Sequence, residues 1–144
     1  ERGGVVFAMA VYTVGYSLLG ATAQAPLGPL DALGIGLFIA GSYLNTASEL
    51  QRKRFKADPA NAGKLYTGGL FRFARHINYF GDVVWATGWA ILTANVWSAL
   101  IPLALAAGFT FFFIPDLTKH LRSKYGADYE AWAARTKKLI PFVY

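Results

Sequence analysis

The residues of this 144-residue chain best equipped for chemistry lie in one short run, Arg75-His76-Ile77-Asn78-Tyr79-Phe80-Gly81-Asp82. Read as a helix from Arg75 onward, the run places Arg75, Asn78, Tyr79 and Asp82 at spacings of three, four and seven, on one face. Trp85 and Trp89 continue that face. Guanidinium, amide, phenol and carboxylate on one stripe can hold a polar ligand through charge and hydrogen bonds. Taken singly, each has a simpler use: Arg75 and His76 can snorkel to a membrane surface and Tyr79 can sit in an aromatic belt. Five polar groups gathered at the start of a helix, four of them on one stripe, favour a binding site. Asp82 lies near the hydrocarbon boundary, where an ionised carboxylate is costly unless paired.

A second cluster, Gln51-Arg52-Lys53-Arg54-Phe55-Lys56, is sufficient as a stop-transfer signal. It also places Arg52 and Lys56 one helical turn apart, suited to capturing a phosphate. The tail carries a third. Asp116 to Lys124 reads as a short charged helix capped at Gly126, and Asp128 caps another through about Lys138. Tyr129, Trp132 and Ala133 face membrane or protein there, while Glu130, Arg135 and Lys137 face water. Such a helix lies in the membrane interface or closes a cytoplasmic pocket as a lid.

The elements that position these groups follow from composition. The chain is 55% hydrophobic, 16% aromatic and 15% charged, against about a quarter charged in soluble domains. A membrane helix needs roughly 20 apolar residues. Residues 4–20 and 31–49 supply two such stretches. Val83 to Pro115 carries no charge; as a single helix it would reach roughly 50 Å, too long for a ~30 Å core. A hairpin turning at Asn95 to Ser98 resolves this, giving spans at 78–95 and 98–115. The expected fold is all-α: a polytopic transmembrane bundle of about four spans in one membrane domain, with cytoplasmic amphipathic C-terminal helices. With four spans, all 14 lysines and arginines fall on one side. The positive-inside rule then puts both termini, the 51–76 loop and the 116–144 tail in the cytoplasm. The net charge of +6 is a membrane-facing rim that needs no nucleic acid. The first segment lacks a basic start followed by a small-residue cleavage site and is read as a span, not a signal peptide. Cysteine is absent, and two histidines make a metal centre an unsuitable expectation. No G-x-G-x-x-G after a strand, no phosphate loop and no nucleophile elbow is found.

The run Gly69 to Asp82 resembles the R-H-x-N-Y-x-G-[DE] signature of the membrane superfamily of steroid 5α-reductases, sterol reductases and isoprenylcysteine carboxyl methyltransferases. Lys124-Tyr125-Gly126, then Arg135 and Ile140-Pro141, resemble its K-Y-G and I-P tail. Gln51 to Pro59 is similar to a sterol-reductase loop, with lysine and arginine exchanged. Leu70-Phe71 in place of two tryptophans, and Phe112-Phe113-Ile114-Pro115 in place of a charged stretch, look more like the superfamily's uncharacterised bacterial members. The resemblance implies a cytoplasmic cofactor pocket, holding NADPH in reductases or S-adenosylmethionine in methyltransferases. It implies that Arg52 and Lys56 contact cofactor phosphate and that Asn78 and Tyr79 contact the nicotinamide ribose. Phe71 and Trp132 would lie against the cofactor, with Arg75, His76, Asp82, Asp116, Tyr125 and Arg135 completing the site. The spacing from Asp116 to Lys124 departs by one residue from the sterol reductases.

The implied reaction is hydride transfer to a polarised double bond in an apolar, steroid-like or other lipid substrate, with a proton from an acid. Tyr43 and Glu49 are the candidate catalytic residues, with Tyr12 and Tyr16 also on the first two spans. Two other readings stand beside it: a methyltransferase of a membrane-bound acceptor, and a non-catalytic membrane subunit that keeps the fold and contacts a protein partner or another copy. The expected location is a bacterial inner membrane, the expected partners the bilayer and an apolar small molecule, with no metal.

Overall fold

Two prolines bound the longest helix. Gly28 caps it, its N–H donating to Asp31 Oδ2 at 2.6 Å, and Pro29 stands in the first turn, where a missing N–H costs nothing. No breaker follows until Asp58-Pro59. The helix therefore continues two turns past the apolar stretch, so Gln51–Ala57, the first part of the region read as a connecting loop, is helical.

The computed structural model describes residues 12–18, 20 and 26–144. The described residues are helical, with no strand among them. Residues 12–18 form helix α1; the rest of the expected first span, 4–20, lies mostly outside the described residues. Helix α2 is Pro29–Ala57 and α3 is Ile77–Leu92. Short 3-10 turns at Pro59–Asn61 and Gly69–Arg72 lie between them. After a turn at Thr93–Asn95 and the 3-10 segment Val96–Ala99 come α4 (Leu100–Gly108), a π-helical turn (Phe109–Phe113), α5 (Ile114–Tyr125) and α6 (Ala127–Arg135). The wide turn precedes Pro115, which has no N–H to return to the carbonyl of Phe111. Gly126 separates the last two helices with φ +50° and ψ −120°, a conformation open to glycine and strained for a side chain.

Glycines fix the central pairing. Gly34 and Gly41 on α2 and Gly81 and Gly88 on α3 are each spaced by two turns and meet backbone to backbone. A Cβ on Gly88 would lie 2.5 Å from the Gly34 carbonyl oxygen, and one on Gly81 2.7 Å from that of Gly41. Small residues let apolar helices approach this closely where no hydrophobic drive separates helix from lipid. The contacts run in opposite order along the two chains, so α2 and α3 are antiparallel. Helix α1 runs parallel to α3: Tyr12 lies edge-on to Trp85, and Tyr16 packs at a tilt against Trp89 while its hydroxyl donates to the Ala86 carbonyl at 2.8 Å.

Val96–Tyr125 forms a continuous helical stretch long and apolar enough to cross a membrane, the one such helix among the described residues. Its apolar side chains face outward, with Phe111 and Phe112 each 70% exposed.

The tail folds back onto the start of α3. The Arg75 N–H donates to the Lys137 carbonyl at 2.8 Å and the His76 N–H to that of Lys138 at 2.9 Å. Beneath this join lies a core of Phe71, Ala74, Ile77, Tyr129 and Trp132. The core thus ties the turn before α3 to α6.

Candidate functional site

The backbone pairing with residues 137 and 138 decides which side chains α3 presents. It holds Arg75 and His76 out of helical geometry, so α3 begins at Ile77. The stripe expected from a helix starting at Arg75 is therefore split. Asn78 and Asp82 face α2. Tyr79 turns to the π-helical turn after α4, its ring parallel to Phe109 at 4.4 Å and to His76 at 5.6 Å. Arg75 leaves α3 for the tail, where Nη1 donates to the Ala133 carbonyl at 2.7 Å and the guanidinium lies 5.8 Å above the Tyr129 ring.

Between α2 and α3 runs a hydrogen-bonded chain. Arg52 pairs with Glu49 at 2.5 Å, and Asn78 Nδ2 donates to the other Glu49 oxygen at 2.9 Å. Asn45 Nδ2 reaches the Asn78 carbonyl at 3.3 Å and Asp82 Oδ1 at 2.7 Å. Trp85 Nε1 donates to the same Asp82 oxygen at 3.0 Å. Each carboxylate is thereby held by at least two donors, the condition under which an acid persists in an apolar surround. Asn45 and Trp85 were not among the expected site residues. Asn45 could have been found as a lone amide in an apolar stretch, one turn before Glu49 on the same face.

The other expected residues divide. Lys56 is exposed one turn beyond Arg52. Tyr43 is 62% exposed, away from the chain. Phe71 and Trp132 are packed within the core, which fills their ring faces with protein. Asp116 and Arg135 are exposed, and Tyr125 packs at the edge of the core with Lys124 Nζ 5.4 Å from its ring. His76 is buried, and burial above all, with Arg75 and Lys138 adding charge repulsion, lowers its pKa to about 4; it is neutral at pH 7.

Beside Arg75 opens a cavity of about 400 Å³. Its polar wall carries Arg75, Lys119, Arg122 and Lys138, and its apolar wall includes Ile114 and Tyr129. Among the described residues, no acidic side chain lines it. Lys119, Arg122 and Lys138 were not expected in a site, since they belong to a tail whose fold against α3 is a long-range property.

A family model, DUF1295, described as "Protein of unknown function", matches residues 5–136. The chain belongs to this family. It is homologous to steroid 5α-reductases, sterol reductases and isoprenylcysteine methyltransferases. Against 3-oxo-5-alpha-steroid 4-dehydrogenase 1 of Macaca fascicularis it is 29% identical over 116 residues, 81% of this chain and 42% of that protein. Against Delta(14)-sterol reductase erg24 of Schizosaccharomyces pombe it is 31% identical over 121 residues, 72% and 28% of the two chains. Against the probable O-methyltransferase ustE of Ustilaginoidea virens it is 40% identical over 68 residues, 47% and 24% of the two. The chain therefore spans less than half the length of these curated relatives.

Proposed function

We propose that this family member is an NADPH-dependent membrane reductase of a carbon-carbon double bond in a steroid-like or other lipid substrate. The observation that carries the reading is the Arg52–Glu49–Asn78 and Asn45–Asp82–Trp85 chain. It lies on the segment that resembles the reductase signature, and the steroid and sterol reductases match most of this chain.

The donors present suit such a cofactor. Asn78 and Glu49 offer the amide and carboxylate that a ribose and a carboxamide require. Arg52 and Lys56 stand one turn apart beyond them and would take a phosphate, with Arg52 shared by Glu49. NADPH supplies a hydride when bound. The chain's own residues hold and orient it, with Glu49 fixed between Arg52 and Asn78 in the hydrogen-bonded network. Tyr43, exposed toward the apolar surround, would meet substrate arriving from lipid.

The same reading takes the molecule as four spans, near 4–20, 31–49, 78–95 and 98–115, with the basic loop, the C-terminal helices and both termini in the cytoplasm. The antiparallel order of α2 against its parallel neighbours α1 and α3 supports an up-and-down path, as do the outward apolar faces. A methyltransferase that uses S-adenosylmethionine is the second reading, favoured by the 40% identity to the fungal O-methyltransferase.

Binding of NADPH, NADH and S-adenosylmethionine to the purified protein in detergent separates them. NADPH is expected to bind, and Arg52→Ala/Lys56→Ala to lose that binding. Binding of S-adenosylmethionine alone would transfer the assignment to the methyltransferases. If neither cofactor binds, both enzyme readings fail.

A further inference from the structure

We propose that the turn at residues 140–143, with the cations beside it, is a docking surface for the anionic leaflet of the membrane that the chain occupies. The backbone closes on itself there. The Ile140 carbonyl accepts from the N–H groups of Val143 and Tyr144, both at 3.1 Å, and the Leu139 N–H donates to the Tyr144 carbonyl at 2.6 Å. Pro141 suits the second position of such a turn. Phe142 takes the third with φ +65°, the left-handed region where glycine or asparagine is usual and a bulky ring is strained. The ring gains little cover in that position: it is 79% exposed and meets one edge of Phe73 at 6.0 Å. Val143 beside it is 71% exposed. Leu139, by contrast, is buried and anchors the turn to the rest of the chain. Two apolar side chains held outward by a strained turn mark a surface that meets a partner.

The charge around the turn identifies that partner. The Arg72 guanidinium lies 4.7 Å over the Phe73 ring, and Arg72 and Lys137 are both exposed. No acidic residue stands between Asp58 and Asp82, or from 131 to 144. An apolar tip flanked by unopposed cations fits anionic lipid: the side chains enter the boundary between headgroups and acyl chains, and the cations stay with the phosphates. The level of the turn along the molecule agrees. Phe73 stands four residues before α3, and the Lys137 carbonyl is bonded to the Arg75 N–H. The turn therefore lies at the polar end of a helix that carries no charge after Asp82. A second protein is the competing occupant, and this level favours lipid. The proposal rests on the membrane placement of the chain and not on the reductase reading.

The chain has no cysteine, so single cysteines can carry a fluorophore. Three variants are labelled in the whole chain: Val143→Cys at the turn, Leu103→Cys, 64% exposed on the long apolar helix, and Ala60→Cys, exposed after α2. Each is placed in nanodiscs of phosphatidylcholine, with and without phosphatidylglycerol, and quenched by spin-labelled lipid. The Leu103 label should be quenched in both and the Ala60 label in neither. The Val143 label should be quenched about twofold more strongly with phosphatidylglycerol present. Salt at about 0.5 M should remove that increment, as should Arg72→Gln/Lys137→Gln at an unchanged melting temperature. The salt arm needs no substitution of the cations. Quenching at Val143 no greater than at Ala60, or equal with and without the anionic lipid, overturns the proposal. Protection of the Val143 label from aqueous iodide without quenching by lipid assigns the turn to a protein contact and overturns it too. Failure of the Leu103 label to be quenched would remove the membrane placement itself, and the proposal with it.

Discussion

Replacing Gly41 by alanine tests whether backbone contact between α2 and α3 is what aligns the polar chain. A Cβ there would meet Trp85 N, with the Gly81 carbonyl oxygen at 2.5 Å and Trp85 Cα at 2.8 Å. All three are backbone atoms, so no side-chain rotation relieves the overlap. The helices must part by roughly an ångström, and overpacking of this kind costs about 1–3 kcal/mol. Alanine also gains up to about 1 kcal/mol of helix propensity over glycine. Gly36→Ala is the control for that gain, because a Cβ on Gly36 meets nothing within 4 Å. Thermal unfolding of the detergent-solubilised protein should place Gly41→Ala roughly 3–10 °C below Gly36→Ala. The Asn45–Asp82 bond lies one turn away at 2.7 Å, so cofactor binding should weaken in Gly41→Ala and not in Gly36→Ala. Equal melting temperatures for the two variants would refute the close backbone packing.

Asp82→Ala removes the acceptor of Trp85 Nε1 and one acceptor of Asn45; the orphaned donors should cost about 1–3 kcal/mol in unfolding experiments, and Asp82→Asn, which keeps an oxygen, should recover at least half of that. Trp132→Ala opens the core of Phe71, Ala74, Ile77 and Tyr129 and should cost about 3–5 kcal/mol. Trp132→Phe should cost far less, because the indole N–H has no hydrogen-bond partner among the described residues, and should leave NADPH affinity unchanged; a marked loss of affinity would instead return Trp132 to the cofactor. His76, with its pKa lowered from 6.5 to about 4, binds its proton more readily in the unfolded chain. Stability from this group is thus full above pH 6.5 and lost as pH falls toward 4, by about 3 kcal/mol at most. Melting curves across that range should flatten in His76→Gln relative to wild type, and an unchanged slope would show that other groups carry the acid sensitivity.

Much of this was legible locally. The apolar stretches marked the helices, Asp58-Pro59 marked the end of α2, and the Asn95 region marked the turn between α3 and α4, since each rests on composition or on one or two backbone-limiting residues. The homology was legible as well, because its signature is a contiguous run. Less legible was the company each side chain keeps. Asn45 meets Asp82 across 37 residues, and Arg75 meets Ala133 across 58.

By itself the sequence determined that the described chain is helical, which stretches are apolar, and that amides, carboxylates and cations cluster near the start of α3. Only the tertiary structure decided how those groups divide. Helical periodicity put Arg75, Asn78, Tyr79 and Asp82 on one stripe, but the N–H groups of Arg75 and His76 are taken by carbonyls of Lys137 and Lys138. That pairing delays the helix to Ile77, sends Arg75 to the tail cavity and leaves Asn78 and Asp82 to α2. The periodicity of a segment reports its own preferred turn; where the turn begins was set by hydrogen bonds from residues some sixty positions away.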